Sequence, residues 1–215
     1  YFTRSIANRV WANFFGRGIV EPVDDLRVSN PASNEPLLEA ISAHLVENRY
    51  DLKALMRLIL QSETYQRTSA PLPENMGDQK YYSRYYPRRL MAEVLQDAIT
   101  SVTRISPKYD KITLADGSTQ GTNFYRDGTR ALQLFDSSVT SYFLKTFGRN
   151  EREITCECER SNKPSMVQVL HLSNGDTLNS NLRSEQSCVN VMIPQSDEEI
   201  IEETYLLCLS RPPSD

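Results

Sequence analysis

The chain has 215 residues, 24 Lys and Arg against 28 Asp and Glu, and a formal net charge of -4. That balance gives no overall positive field to draw in DNA or RNA, so a nucleic-acid role would need a local basic patch. A hydrophobic share of 39% is modest for a globular chain, but 11 Tyr, 7 Phe and regular apolar spacing exclude disorder, and the length suffices to bury a core without staples.

Phe2, Ile6, Val10, Trp11 and Phe14 recur at helical spacing and predict a first helix over 2–15, ended by Gly16 and Gly18. A loop with Pro22 and Pro31 follows. Ser33 is the expected cap of a second helix, with Pro36 in its first turn and Leu37, Leu38, Ile41 and Leu45 as its buried stripe. Asp51 caps a third, in which Leu52, Leu55, Met56 and Ile59 repeat the pattern. The polar stretch 66–80 is the expected linker. Beyond it, Met91, Val94, Leu95, Ala98, Val102 and Ile105 mark a long fourth helix. Between 107 and 135 the pattern changes: Asp116-Gly117 makes a turn between short runs of β-formers, and RALQLF has the character of a strand. Helices resume at 138–147 and 164–173, and Ser196 with Glu199 forms the capping box of the last. The expected fold class is therefore mainly α, a multi-helical domain with a small β-hairpin or sheet insertion around residues 107–135. Residues 1–215 are expected to form a single helical domain, divisible into a helical cluster over 1–65 and helices plus a small sheet over 81–215.

No run approaches the roughly eighteen consecutive apolar residues of a membrane span, and no basic-then-apolar signal segment opens the chain. It starts at Tyr1 already in helical register and ends in Arg211-Pro212-Pro213-Ser214-Asp215, so it is expected to be cut from a longer polypeptide.

Four segments carry a family resemblance: RSIANRVWANFFGRGIVEPVDDLRVSNPAS, YDLKALMRLILQSETYQ, PRRLMAEVLQDAI and CECERSNKPSMVQVLHLSNGDTLN. In this order they resemble an uncharacterised domain of unknown function found at the C-terminus of large planctomycete secreted proteins. The resemblance implies an upstream cytochrome c-like domain, a second uncharacterised domain before this one, and a periplasmic or secreted location. It brings no established activity.

Three groups of residues carry candidate chemistry. The first is the cysteine-rich stretch. No C-x-x-C-H run is present, so the chain holds no covalent haem. Cys156, Cys158 and His171 supply three ligands for zinc, with Cys188 or an acid as a fourth, although C-x-C is not the spacing of a zinc ribbon. Buried free thiols or disulfides are the alternatives; Cys188 can pair with Cys156 or Cys158, and Cys208 is expected in the core beside Ile201 and Tyr205. His171, flanked by Leu170 and Leu172, is expected as a hydrogen-bonded core residue, and His44 at the edge of the second helix's stripe.

The second group is KYYSRYYPRRL, where Lys80, Arg84, Arg88 and Arg89 interleave with Tyr81, Tyr82, Tyr85 and Tyr86 and no acid intervenes. Aromatic faces beside cations suit a sugar ring or single-stranded nucleic acid. Arg88, Arg89, Tyr85 and Tyr86 are the candidate binding residues, with carbohydrate ahead of nucleic acid. The structural alternative has the rings packed and Arg88 or Arg89 paired with Glu93 or Asp97. The third group is carboxylates in loops: Asp24, Asp25, Asp127 and Asp136, two of which a glycoside hydrolase would need about 5–10 Å apart. The sequence thus favours a non-catalytic structural or binding module whose partners are its upstream domains and a carbohydrate or protein, without a cofactor of its own unless zinc binds at the Cys/His set. The alternative is an extracytoplasmic enzyme acting on a polysaccharide.

Overall fold

The computed structural model describes residues 1–149 and 164–214. Its described elements are mainly α, with one two-stranded antiparallel hairpin, as expected. By internal contacts the chain divides into two units, Tyr1–Arg88 and Arg89–Asp215.

In the first unit α1 (Phe2–Phe15) ends at Gly16, whose φ of 74° is left-handed and lets its N–H reach the Ala12 carbonyl. α2 (Glu35–Glu47) is capped by Asn34, not Ser33: the Asn34 Oδ1 accepts the Leu37 N–H at 3.1 Å. Ser33 is otherwise engaged, donating its hydroxyl and its N–H to the Ile19 carbonyl at 2.9 and 2.8 Å. α3 (Leu52–Gln61) is capped by Asp51, which accepts from the N–H groups of Lys53 and Ala54. These helices close over Trp11, Phe15, Ile19, Leu38, Leu45, Leu55 and Ile59, all buried. Each such side chain contributes about 1.5–3 kcal/mol of hydrophobic stabilisation. Leu52 and Met56 of the expected α3 stripe lie at the surface instead.

The buried residues of this unit include polar ones, Asn8 foremost. Asn8 is fully enclosed; its Nδ2 donates to the carbonyls of Val20 and Val23 at 3.0 and 2.8 Å, and its Oδ1 accepts the Val20 N–H at 3.0 Å. A single amide thus pairs loop backbone that neither helix nor sheet can pair. Residues 66–80 fall within this unit, and the Thr68 carbonyl accepts the Tyr85 N–H at 3.0 Å.

The second unit begins with α4 (Ala92–Thr103). Its buried residues are Ala92, Glu93, Gln96 and Thr103, while Met91 and Ala98 of the expected stripe are exposed. The inward face is rotated because polar side chains on it find partners from distant segments. β1 (Lys111–Thr113) and β2 (Thr119–Gly121) pair antiparallel through the Asp116-Gly117 turn, where Gly117 has φ 83°. RALQLF is not a strand. Ala131–Gln133 forms a 3-10 turn, because the Asp97 carboxylate takes its first N–H groups. The helix expected over 138–147 is shorter: Val139 makes a β-bridge to Ile112, and α5 (Tyr142–Thr146) starts after the Ser141 cap.

Ala92, Tyr109, Ala131, Leu134, Val139, Phe143, Leu144 and Phe147 are the buried residues of this unit's core. α6 (Met166–Asn174) carries a Ser165/Gln168 capping box, and α7 (Asp176–Arg183) and α8 (Cys188–Met192) follow. α9 (Asp197–Leu209) has the expected Ser196/Glu199 box but buries none of its residues, so Cys208 is exposed, not in the core. No helix among the described residues is long and apolar enough to cross a membrane.

Candidate functional site

The aromatic and basic stretch is organised by Asp78. Its carboxylate accepts the N–H groups of Lys80, Tyr81 and Ser83 at 2.9, 2.8 and 2.9 Å, and the Ser83 hydroxyl at 2.5 Å. Burial pushes this carboxyl up, but those hydrogen bonds favour the charged form more strongly and hold it well below the usual range. The turn so fixed sends Tyr82 inward and leaves Tyr81 outside.

Tyr82 is therefore a core residue, not a stacking face. Its ring stands edge-on to Trp11 and Phe15, with centroids 5.3 and 5.2 Å away, and its hydroxyl donates to the carbonyls of Arg17 and Gly18 at 3.0 and 2.9 Å. Burial raises its ionisation to about 12. Its φ of 55° is left-handed, a conformation that costs a bulky residue about 1–3 kcal/mol. The strain is held by Arg67, whose Nη1 donates to the Tyr82 carbonyl at 3.0 Å, and by the Tyr86 hydroxyl, which accepts its N–H at 2.9 Å.

The four candidate binding residues divide. Tyr85 and Tyr86 are half-buried. Tyr85 packs edge-on against Tyr65 at 5.3 Å and its hydroxyl donates to the Phe14 carbonyl at 3.2 Å; Tyr86 sits 5.6 Å from Tyr82 with the Arg84 guanidinium 5.3 Å over its ring. Arg88 is exposed and ends the first unit; Arg89 opens the second and donates to the Gln168 Oε1 at 2.5 Å. Neither arginine forms a described ion pair with Glu93 or Asp97. Glu93 faces Arg149 at 3.6 Å and Asp97 faces Arg130 at 3.3 Å.

Of the metal set, Cys156 and Cys158 lie outside the described residues. His171 is half-buried, within 5.4–6.0 Å of the rings of Tyr142, Phe143 and Phe147, and its Nε2 shares a hydrogen bond with the Thr177 hydroxyl at 3.0 Å. Cys188 is a buried free thiol. Among the described residues, no three His, Cys, Asp or Glu side chains group closely enough to hold a metal ion. His44, at the edge of the α2 stripe, is half-buried beside the Asn48 amide.

Three of the four candidate catalytic carboxylates are engaged locally. Asp24 pairs with Arg9 at 2.8 Å and Asp25 with Arg27 at 2.6 Å. Asp136 Oδ1 accepts the N–H and hydroxyl of Ser138 at 2.8 and 2.7 Å. Asp127 is exposed in the loop before Gly128.

Composition and spacing do not point to the buried charges of the second unit. Glu93 and Arg149 are each 10% exposed, and near them lies the enclosed Tyr109. Burial raises Tyr109's ionisation first; the Asp97 and Glu93 charges add to that and Arg149 opposes it. Its hydroxyl has no hydrogen-bond partner among the described residues. Desolvation offsets much of the attraction in a buried ion pair of this kind, so its net stabilisation is small.

The model of one protein family matches residues 1–215: PSD1, protein of unknown function (DUF1553). No curated protein and no solved structure matches the chain.

Proposed function

The chain belongs to the PSD1 family of unknown function, and from that premise we propose that it is a non-catalytic structural or binding module. One observation carries the reading. Of the loop carboxylates that an enzyme would need to converge, Asp24 and Asp25 in the first unit and Asp136 in the second are each engaged by a partner within their own unit. General acid–base work on a glycosidic bond requires two carboxyls facing one substrate atom with different proton affinities. The resemblance to C-terminal domains of exported, cytochrome-linked proteins supports a periplasmic or secreted setting, with the upstream domains of the same polypeptide as its first partners and a carbohydrate or protein as a second.

The test is to incubate the purified chain with a panel of polysaccharides and measure both retention and release of reducing ends. Retention without release supports the module. Release that disappears in Asp136→Asn or Asp127→Asn would replace it with an enzyme. Elemental analysis checks the cofactor part of the reading: stoichiometric zinc would assign Cys156, Cys158 and His171 as ligands.

A further inference from the structure

The first unit contains a cavity of about 120 Å³ walled by Trp11, Tyr82, Ser33, Thr64, Arg67 and Lys80, with Tyr81 also lining it. Trp11 and Tyr82 are buried, whereas Tyr81 is 71% exposed. Two cations line this space, and no carboxylate does. Glu35, next to the lining residue Asn34, is turned to an ion pair with Arg4. Among the described residues neither Arg67 nor Lys80 has an ion-pair partner. Arg67 commits Nη1 to the Tyr82 carbonyl, which fixes the guanidinium and leaves the rest of its fork free to donate.

A second observation lies in the core wall. Trp11 is 2% exposed and its indole N–H makes no hydrogen bond of normal geometry, although it lies near enough to the Tyr82 hydroxyl to favour that group's ionised form. A buried donor without a well-made bond is uncommon. Here it belongs to a residue lining a cavity beside two unpaired cations. The left-handed Tyr82 backbone is tied to the same place, since its carbonyl accepts the Arg67 Nη1–H at 3.0 Å.

We infer that this cavity binds a compact oxyanion group, carboxylate, phosphate or sulfate, on a ligand whose body lies against the exposed Tyr81 ring. At about 120 Å³ the space is small and has room for one such group. Arg67 and Lys80 supply the charge, and the Thr64 hydroxyl is a further donor that suits the remaining oxygens. The inference deepens the binding-module reading and rests on it.

Trp11 is the only tryptophan, so the 215-residue chain has one indole N–H resonance. Acetate, inorganic phosphate and sulfate are each titrated at fixed ionic strength while that resonance is followed. A saturable shift is expected, and the anion that saturates it at the lowest concentration gives the oxyanion class. Arg67→Gln and Lys80→Glu are each expected to weaken the response at least about tenfold. Lys80 is exposed, so Lys80→Glu keeps the test valid if loss of the Tyr82 bond prevents Arg67→Gln from folding. No saturable shift with any of the three anions, or one that Lys80→Glu leaves unchanged, overturns the assignment. Reducing-end release reports separately on the non-catalytic reading, so a silent indole removes the cavity assignment alone.

Discussion

The Asp97 carboxylate accepts the backbone N–H of Ala131 at 2.6 Å, joining residues 34 positions apart. It also takes the Leu132 N–H and the Arg130 Nε–H, each at 3.3 Å, and its side chain is only 9% exposed. One acid on α4 thereby fixes the 3-10 turn that closes the second unit's core.

Asp97→Ala leaves those donors unpaired and is expected to destabilise the second unit by about 2–3 kcal/mol, with Asp97→Asn losing roughly half as much. Urea unfolding followed by circular dichroism measures it. An unchanged midpoint would mean that the turn is held by something other than this carboxylate.

Asn8 occupies the corresponding position in the first unit. Asn8→Ala strands the Val20 N–H and two carbonyls and should cost about 2–3 kcal/mol. Gly18→Ala tests the same joint from the other side: an added Cβ would stand 2.3 Å from the Val20 carbonyl oxygen and 3.0 Å from the Asn8 amide, so the loop must move. Both variants are expected to lower the first unit's unfolding midpoint, read by Trp11 fluorescence.

Asp78 predicts an acid dependence. Its folded ionisation is depressed, so the stability it contributes is complete above the ordinary carboxylate value of 3.8 and is lost as the pH falls below that value toward the lower folded one. Discounted for solvent screening, the contribution is about 1 kcal/mol. Unfolding free energies measured from pH 6 to pH 2 should fall less steeply in Asp78→Asn than in the parent chain.

Tyr82 predicts a dependence at the opposite end. Its folded ionisation is raised to about 12 from 10.0, so its contribution is intact below 10.0 and lost as the pH rises through about 12. Ultraviolet titration of the phenolate band should show exposed tyrosines ionising first and a delayed component that Tyr82→Phe diminishes by one tyrosine. Tyr82→Phe also forfeits the bonds to Arg17 and Gly18, at a cost of about 1–2 kcal/mol.

Local signals carried much of this fold in the sequence. Gly16 ends α1, Asp51 caps α3, Asp116-Gly117 turns the hairpin and Ser196 with Glu199 opens α9, because each depends only on neighbours a few residues away. Long-range partners hid the rest. Periodicity marks the apolar side of α4, but Glu93 and Gln96 are buried, Glu93 facing Arg149 and Asp97 capping a turn 34 residues on. RALQLF alternates like a strand, yet the Asp97 carboxylate decides its conformation. Cys208 sits among apolar residues on a helix that buries none of them. The candidate cavity was legible only in part: Lys80, Tyr81 and Tyr82 stand together in the sequence, while Trp11, Ser33, Thr64 and Arg67 reach it through folding.

The central claim is that Asp24, Asp25 and Asp136 serve local structure and do not perform chemistry on a substrate. Asp136 tests it most directly, because it lies in a loop, where general acids often sit, and is bonded to the N–H and hydroxyl of Ser138. Residues kept for catalysis commonly burden the folded state, and replacing them raises stability. Thermal unfolding of Asp136→Ala is expected to show a midpoint lowered by about 2–4 °C, the shift for roughly 1 kcal/mol in a chain of this size. A midpoint raised by the substitution would contradict the account.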